Sequence, residues 1–138
     1  DIIQVPFNIL DRRLIDLDFF NLAKKNNKKI FIRSIYLQGL LLMNNEQLIK
    51  KNMQWAIPYL SYLWNFIEQN KLDIKEFALK STLDVSNNSK IITGIDSLTQ
   101  LKENNIAINS NNISREILDS WWKDLPIYPV KLLNPSLW

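Results

Sequence analysis

Neither cysteine nor histidine occurs anywhere in the 138 residues. The first absence excludes disulfides and thiolate metal sites. The second removes the commonest metal ligand and the commonest general base. No apolar run reaches about 18 residues, so no transmembrane helix is expected. No charged segment followed by an apolar one opens the chain, so no secretory signal is visible and a cytoplasmic location is expected. Internal repeats and Gly/Ser linkers are missing too. At this length the chain is one domain or part of one, and a hydrophobic content of 46% is enough for a core. The net charge of +3 comes from scattered basic residues. Their one dense cluster, Lys24, Lys25, Lys28 and Lys29, reads as a solvated helix end and not as a nucleic-acid face.

What is present alternates between short β-branched runs and helical patterns. Ile2 to Phe7 is an apolar run broken by Gln4 and Pro6, and it suits a buried parallel strand. Gln4 is the odd residue: a buried unpaired amide costs about 1–3 kcal/mol, and a ligand cleft would supply partners. Asp1 to Val5 begins as though already inside a strand, so a fragment, or a processed or trimmed product, is expected. Asn8 and Asp11 offer turn and cap chemistry. Leu10, Leu14, Leu17 and Asn21, with Ile15, Phe19 and Leu22 beside them, predict one helix with a broad apolar face, ending near Asn26-Asn27. Ile30-Phe31-Ile32 is the next strand. Arg33 and Ser34 stand at its C-terminal end, where ligands bind in α/β sheets; an arginine snorkelling at the rim is the equal alternative.

Leu40 to Met53 reads as a long connection. Pro58 fits the first turn of a helix whose Leu60, Leu63, Trp64 and Ile67 recur at helical spacing, with Tyr59, Tyr62 and Phe66 alongside as core. Asp73 and Glu76 have capping-box spacing ahead of Ile74, Phe77, Ala78 and Leu83. Asn87-Asn88-Ser89 is a loop. Ile91-Ile92-Thr93 then reads as a buried strand, turned at Gly94 into a helix capped by Ser97 and Gln100, with Leu98 and Leu101 on one face. A strand entering a helix through a glycine is either an anion site or an ordinary βα unit. After the loop Asn109 to Asn112, Ser114 caps a last helix bearing Ile117, Leu118, Trp121, Trp122 and Leu125. Pro126 and Pro129 end helical structure, and the tail from Leu132 is extended, with Trp138 as an anchor.

The order of elements, with single polar residues at strand ends, predicts an α/β fold forming part of a (β/α) barrel. Three segments carry a more specific likeness: Gln4-Val5-Pro6-Phe7-Asn8-Ile9-Leu10-Asp11-Arg12-Arg13, Arg33-Ser34-Ile35-Tyr36-Leu37-Gln38-Gly39-Leu40-Leu41, and Gly94 through Asn104. In this order they resemble the C-terminal part of the aldo/keto reductase family, over nearly the whole chain. The resemblance implies that residues 1–138 are the C-terminal part of an NAD(P)-dependent oxidoreductase domain, namely strands six to eight of a (β/α)8 TIM barrel left incomplete in this chain.

It also implies a cofactor, NADP or NAD. Gln4 falls where the family binds the nicotinamide carboxamide, and Arg33 where a large side chain lies against the nicotinamide. Ser34, Tyr36 and Leu37 fall along the pyrophosphate-binding loop, Gly94 at the adenosine ribose phosphate, and Gln100, Glu103 and Asn104 at the adenine. Gln100 keeps its rival role as capping partner of Ser97. Asp96 lies near the place of a 2′-phosphate, which a carboxylate repels and a ribose hydroxyl suits, so NAD is as open as NADP. The family's catalytic Asp, Tyr, Lys and His belong to earlier strands, and none is assigned to this chain. The implied partners are therefore the missing N-terminal half and a small carbonyl or alcohol substrate, with no nucleic acid and no membrane. The implied activity is hydride transfer between NAD(P)H and that substrate. The alternative is a non-catalytic or decayed nucleotide-binding half that acts only with a partner.

Overall fold

Three short strands lie parallel in the order β1 (Ile2–Pro6), β2 (Lys29–Arg33) and β3 (Lys90–Ile91). The structure, a computed structural model, describes residues 1–86 and 89–138. Two of the loop residues expected before β3, Asn87 and Asn88, lie outside the described residues. Gln4 pairs with Phe31, and Ile32 with Ile91. Parallel neighbours need long crossovers, and helices supply both. The first crossover holds α1 (Arg13–Asp16) and α2 (Phe19–Lys25). The second holds α3 (Asn45–Lys50), α4 (Ile57–Gln69) and α5 (Ile74–Val85). Beyond the sheet come α6 (Leu98–Asn109), α7 (Arg115–Asp124) and α8 (Val130–Leu133).

One face of the sheet is covered and the other is open. Ile30 and Ile32 are buried and Ile3, Val5 and Ile91 half-buried, whereas Ile2, Gln4, Pro6, Lys29 and Arg33 are exposed. The expectation of a strand buried on both faces therefore fails at β1: the side chains alternate, and Gln4 points to the open side. The expected strand Ile91-Ile92-Thr93 shrinks to Lys90–Ile91, with Ile92 exposed.

The barrel expectation is overturned as well. The structure is 59% helical, with one small three-stranded parallel sheet, and is a compact α/β domain, not a portion of a TIM barrel. The physical reason lies in the burial. One core packs α2 and parts of α5 and α6 on the covered sheet face, through Phe7, Phe20, Ile30, Ile32, Leu79 and Ala107. The other is built around fully buried Trp121 and contains no strand residue. Trp121 donates from Nε1 to the Ile9 carbonyl at 2.9 Å and packs against Tyr62, Phe66 and Phe77. Burying one large aromatic side chain is worth about 2–3 kcal/mol, so this strand-free core contributes to stability in its own right.

Several local expectations are corrected. The single helix after β1 is two, broken where Asp18 adopts a left-handed conformation (φ 51°). The break turns Leu17 and Leu22 out to solvent. The connection from Leu40 to Met53 contains α3 and the end of a 3₁₀ segment that spans Leu37–Leu42. Leu98 and Leu101 face solvent, and α6 packs through Ala107 instead. Pro129 precedes α8 and caps its start, and a 3₁₀ turn follows over Pro135–Leu137, so the tail is not extended. Trp138 does dock, with its ring 6.3 Å from that of Trp55 and its Nε1 donating to the Lys131 carbonyl. Among the described residues no helix is long and apolar enough to cross a membrane.

Candidate functional site: a groove at the strand ends

The C-terminal ends of the three strands open onto one groove of about 630 Å³, a size ordinary for a cofactor site. Gln4 reaches it from β1, Arg33 from β2, and Thr93 and Gly94 from the segment after β3. The first two turns of α6 form another wall, through Gln100, Glu103 and Asn104, and Asp96 precedes that helix.

The loop after β2 shapes the groove's lip. Ser34, Leu37 and Gln38 all have positive φ (66°, 48° and 52°), and Gly39 follows at 83°. Left-handed backbone costs an ordinary residue about 1–2 kcal/mol, whereas Gly39 adopts it freely. The strain persists because Ile35, Leu37, Leu40 and Leu41 are all buried and pin the loop. Ser34, Tyr36 and Gln38 are thereby left lining the groove.

Several polar wall residues are held in place by hydrogen bonds or an ion pair. Ser97 Oγ accepts from the Gln100 amide at 3.2 Å, the expected cap. The Gln100 side chain does not close the box on Ser97; its Oε1 accepts from the Asp96 amide at 2.8 Å, one residue earlier. The Tyr36 hydroxyl donates to Asn104 Oδ1 at 3.3 Å. Burial, reinforced by the charge of Asp73, pushes the Tyr36 phenol up to about 12, so it stays protonated near neutral pH. Lys75 Nζ lies 2.5 Å from Glu103 Oε2. Gly94 is open: a Cβ built there meets nothing within 4 Å.

Of the sequence-derived candidates, Gln4, Arg33, Ser34, Tyr36, Gly94, Asp96, Gln100, Glu103 and Asn104 all line this groove. Leu37 does not; its side chain is fully buried in the Trp121 core, and its contribution is the bent backbone. Sequence reasoning missed Lys75. It sits two residues after the Asp73 cap, on a helix turn whose pattern carries no sign that α6 lies across from it. Asn8, Asp11, Arg12 and Arg13, in the first resembling segment, are structural. Arg13 grips the buried Asp11 carboxylate with two nitrogens at 2.8 and 2.6 Å, and this hydrogen-bonded pairing raises the guanidinium pKa further. Arg12 donates to the Leu125 carbonyl, tying the first turn to the end of α7.

Chemically the groove offers the amides of Gln4, Gln38, Gln100 and Asn104, one guanidinium, one ammonium, several hydroxyls and two carboxylates. Such a set has the hydrogen-bonding capacity for a polar ligand; it presents no cluster of three or more metal-ligating residues among the described ones. No family model matches the chain, and no curated protein or solved structure matches it significantly.

Proposed function

We propose that the groove binds a nicotinamide dinucleotide, NAD or NADP. The chain is then the cofactor-holding part of an oxidoreductase resembling the aldo/keto reductases. Its activity is hydride transfer between the reduced cofactor and a carbonyl or alcohol substrate, in the cytoplasm. The observation that carries this reading is the convergence of Gln4, Arg33, Gly94 and Gln100 on one groove at the strand ends. A dinucleotide needs an elongated slot at the C-terminal edge of a parallel sheet, a cation and open backbone for its phosphates, and amides or carboxylates for its bases. The cofactor carries the redox chemistry; these residues bind and orient it.

Proton transfer to the substrate oxygen is assigned to a preceding segment or a partner chain. Tyr36 holds its proton too tightly for general acid work near neutral pH, and Lys75 is tied to Glu103. The same two observations favour a second reading, a nucleotide-binding domain without turnover of its own. Titration calorimetry with NADH and NADPH tests binding, and an aldehyde turnover assay on the binding form separates the two readings. Gly94→Ala should fold normally, since its Cβ has room. It should weaken dinucleotide binding about tenfold, because the added methyl keeps the phosphates from approaching the backbone closely. An unchanged affinity in Gly94→Ala, or no binding by the parent protein, contradicts the proposal.

A further inference from the structure

The charges in the groove are unevenly committed. Besides the Tyr36 phenol, four lining residues carry ionisable side chains: Arg33, Lys75, Asp96 and Glu103. Lys75 and Glu103 neutralise each other at 2.5 Å, and Lys75 is the more enclosed partner, its side chain 19% exposed against 49%. Arg33 has no ion-pair partner among the described residues and touches only Ser34 Oγ, at 3.4 Å. The Asp96 carboxylate likewise has none, while its backbone is fixed to Gln100. The groove thus holds one available cation, at the tip of the central strand, and one available carboxylate, at the entry to α6.

We propose that the groove selects the cofactor form with a free ribose 2′-hydroxyl, NAD(H), over the 2′-phosphorylated form. The inference rests on the dinucleotide reading given above. A pyrophosphate bridges the middle of an extended dinucleotide and takes Arg33, the cation of the middle strand. The adenosine then lies along α6, where Gln100 and Asn104 face the base and the neighbouring Asp96 faces the ribose. A carboxylate accepts hydrogen bonds from ribose hydroxyls. A 2′-phosphate there meets like charge, and the remaining cation is already spent. Recruiting Lys75 would release Glu103 as a second bare carboxylate beside the phosphate. Both routes therefore penalise the phosphorylated cofactor.

The test is calorimetric titration of the full chain with NADH and with NADPH, in the parent protein and in Asp96→Ser and Glu103→Gln. The parent should bind NADH at least about tenfold more tightly than NADPH. Asp96→Ser should close most of that gap from both sides, improving NADPH binding by removing the like charge and weakening NADH binding by removing the carboxylate's hydrogen bonds to the ribose. Glu103→Gln, which frees Lys75, should also improve NADPH binding. Equal or tighter binding of NADPH by the parent overturns this inference and leaves the dinucleotide reading standing. A preference for NADH that survives Asp96→Ser overturns the role given to Asp96. Binding of neither nucleotide overturns the underlying reading and this inference with it. Circular dichroism of each variant establishes that it is folded.

Discussion

Tyr128 shows how a single hydroxyl bears on stability. Its side chain is 8% exposed, and its hydroxyl finds no hydrogen-bond partner among the described residues. An orphaned buried donor costs about 1–3 kcal/mol, so Tyr128→Phe should stabilise the fold by about 1 kcal/mol in urea unfolding at neutral pH. Burial, with a smaller contribution from Tyr62, raises the Tyr128 phenol to about 12, and Tyr36 is raised to about 12 by burial and Asp73. Below pH 10 both phenols keep their protons whether the chain is folded or not. Above it the unfolded chain releases them first, so stability falls as pH rises from about 10 toward 12. Tyr128→Phe should make that fall shallower; an unchanged alkaline slope would mean the phenol ionises as easily folded as unfolded. Residue identities of this kind were partly legible beforehand. The core roles of Trp121, Leu60 and Phe77 followed from helical spacing, whereas the missing partner of Tyr128 depends on contacts between segments that no local pattern encodes.

Caps and breaks decided the elements more reliably than apolar runs did. The caps read at Asp73, Ser97 and Ser114 all accept the backbone hydrogen bond expected of them. Among those overlooked, the cap at Asn44 is the most complete. Its side chain accepts from the Gln47 amide at 2.9 Å while Gln47 Oε1 accepts from the Asn44 amide at 2.9 Å. The spacing Asn44-x-x-Gln47 was there to be read, but the polar sequence after it resembled a loop. Asn44→Ala should cost about 1 kcal/mol and lower Tm by roughly 4 °C, because α3 has few apolar residues besides buried Leu48 to hold it. No change in Tm would show that packing alone fixes α3. The breaks were harder to read. Asp18 divides the first helix by a left-handed turn that periodicity cannot signal, and the Leu17 and Leu22 pattern therefore promised an apolar face that does not form.

In the whole molecule, a groove assembled from distant segments coexists with a fold that departs from the barrel. Parallel strands, and polar residues of their ends meeting in one groove, could be anticipated, because such residues at the ends of apolar runs lie along one edge of a sheet. The distribution of the core could not be. Local periodicity marks which face of a helix is apolar, but not which helix it meets, and here α4, α5 and α7 pack on one another around Trp121. Lys75 escaped for the same reason: its partner Glu103 is 28 residues away. On the reading proposed above, the strand ends and the start of α6 together hold one dinucleotide. The most direct measurement is amide chemical-shift mapping by nuclear magnetic resonance during titration with NADH. Shifts concentrated at Gln4, Arg33, Ser34, Gly94, Asp96 and Gln100, saturating together with one dissociation constant, are the predicted result. Saturating shifts confined to another face, or none at these six positions, would contradict it.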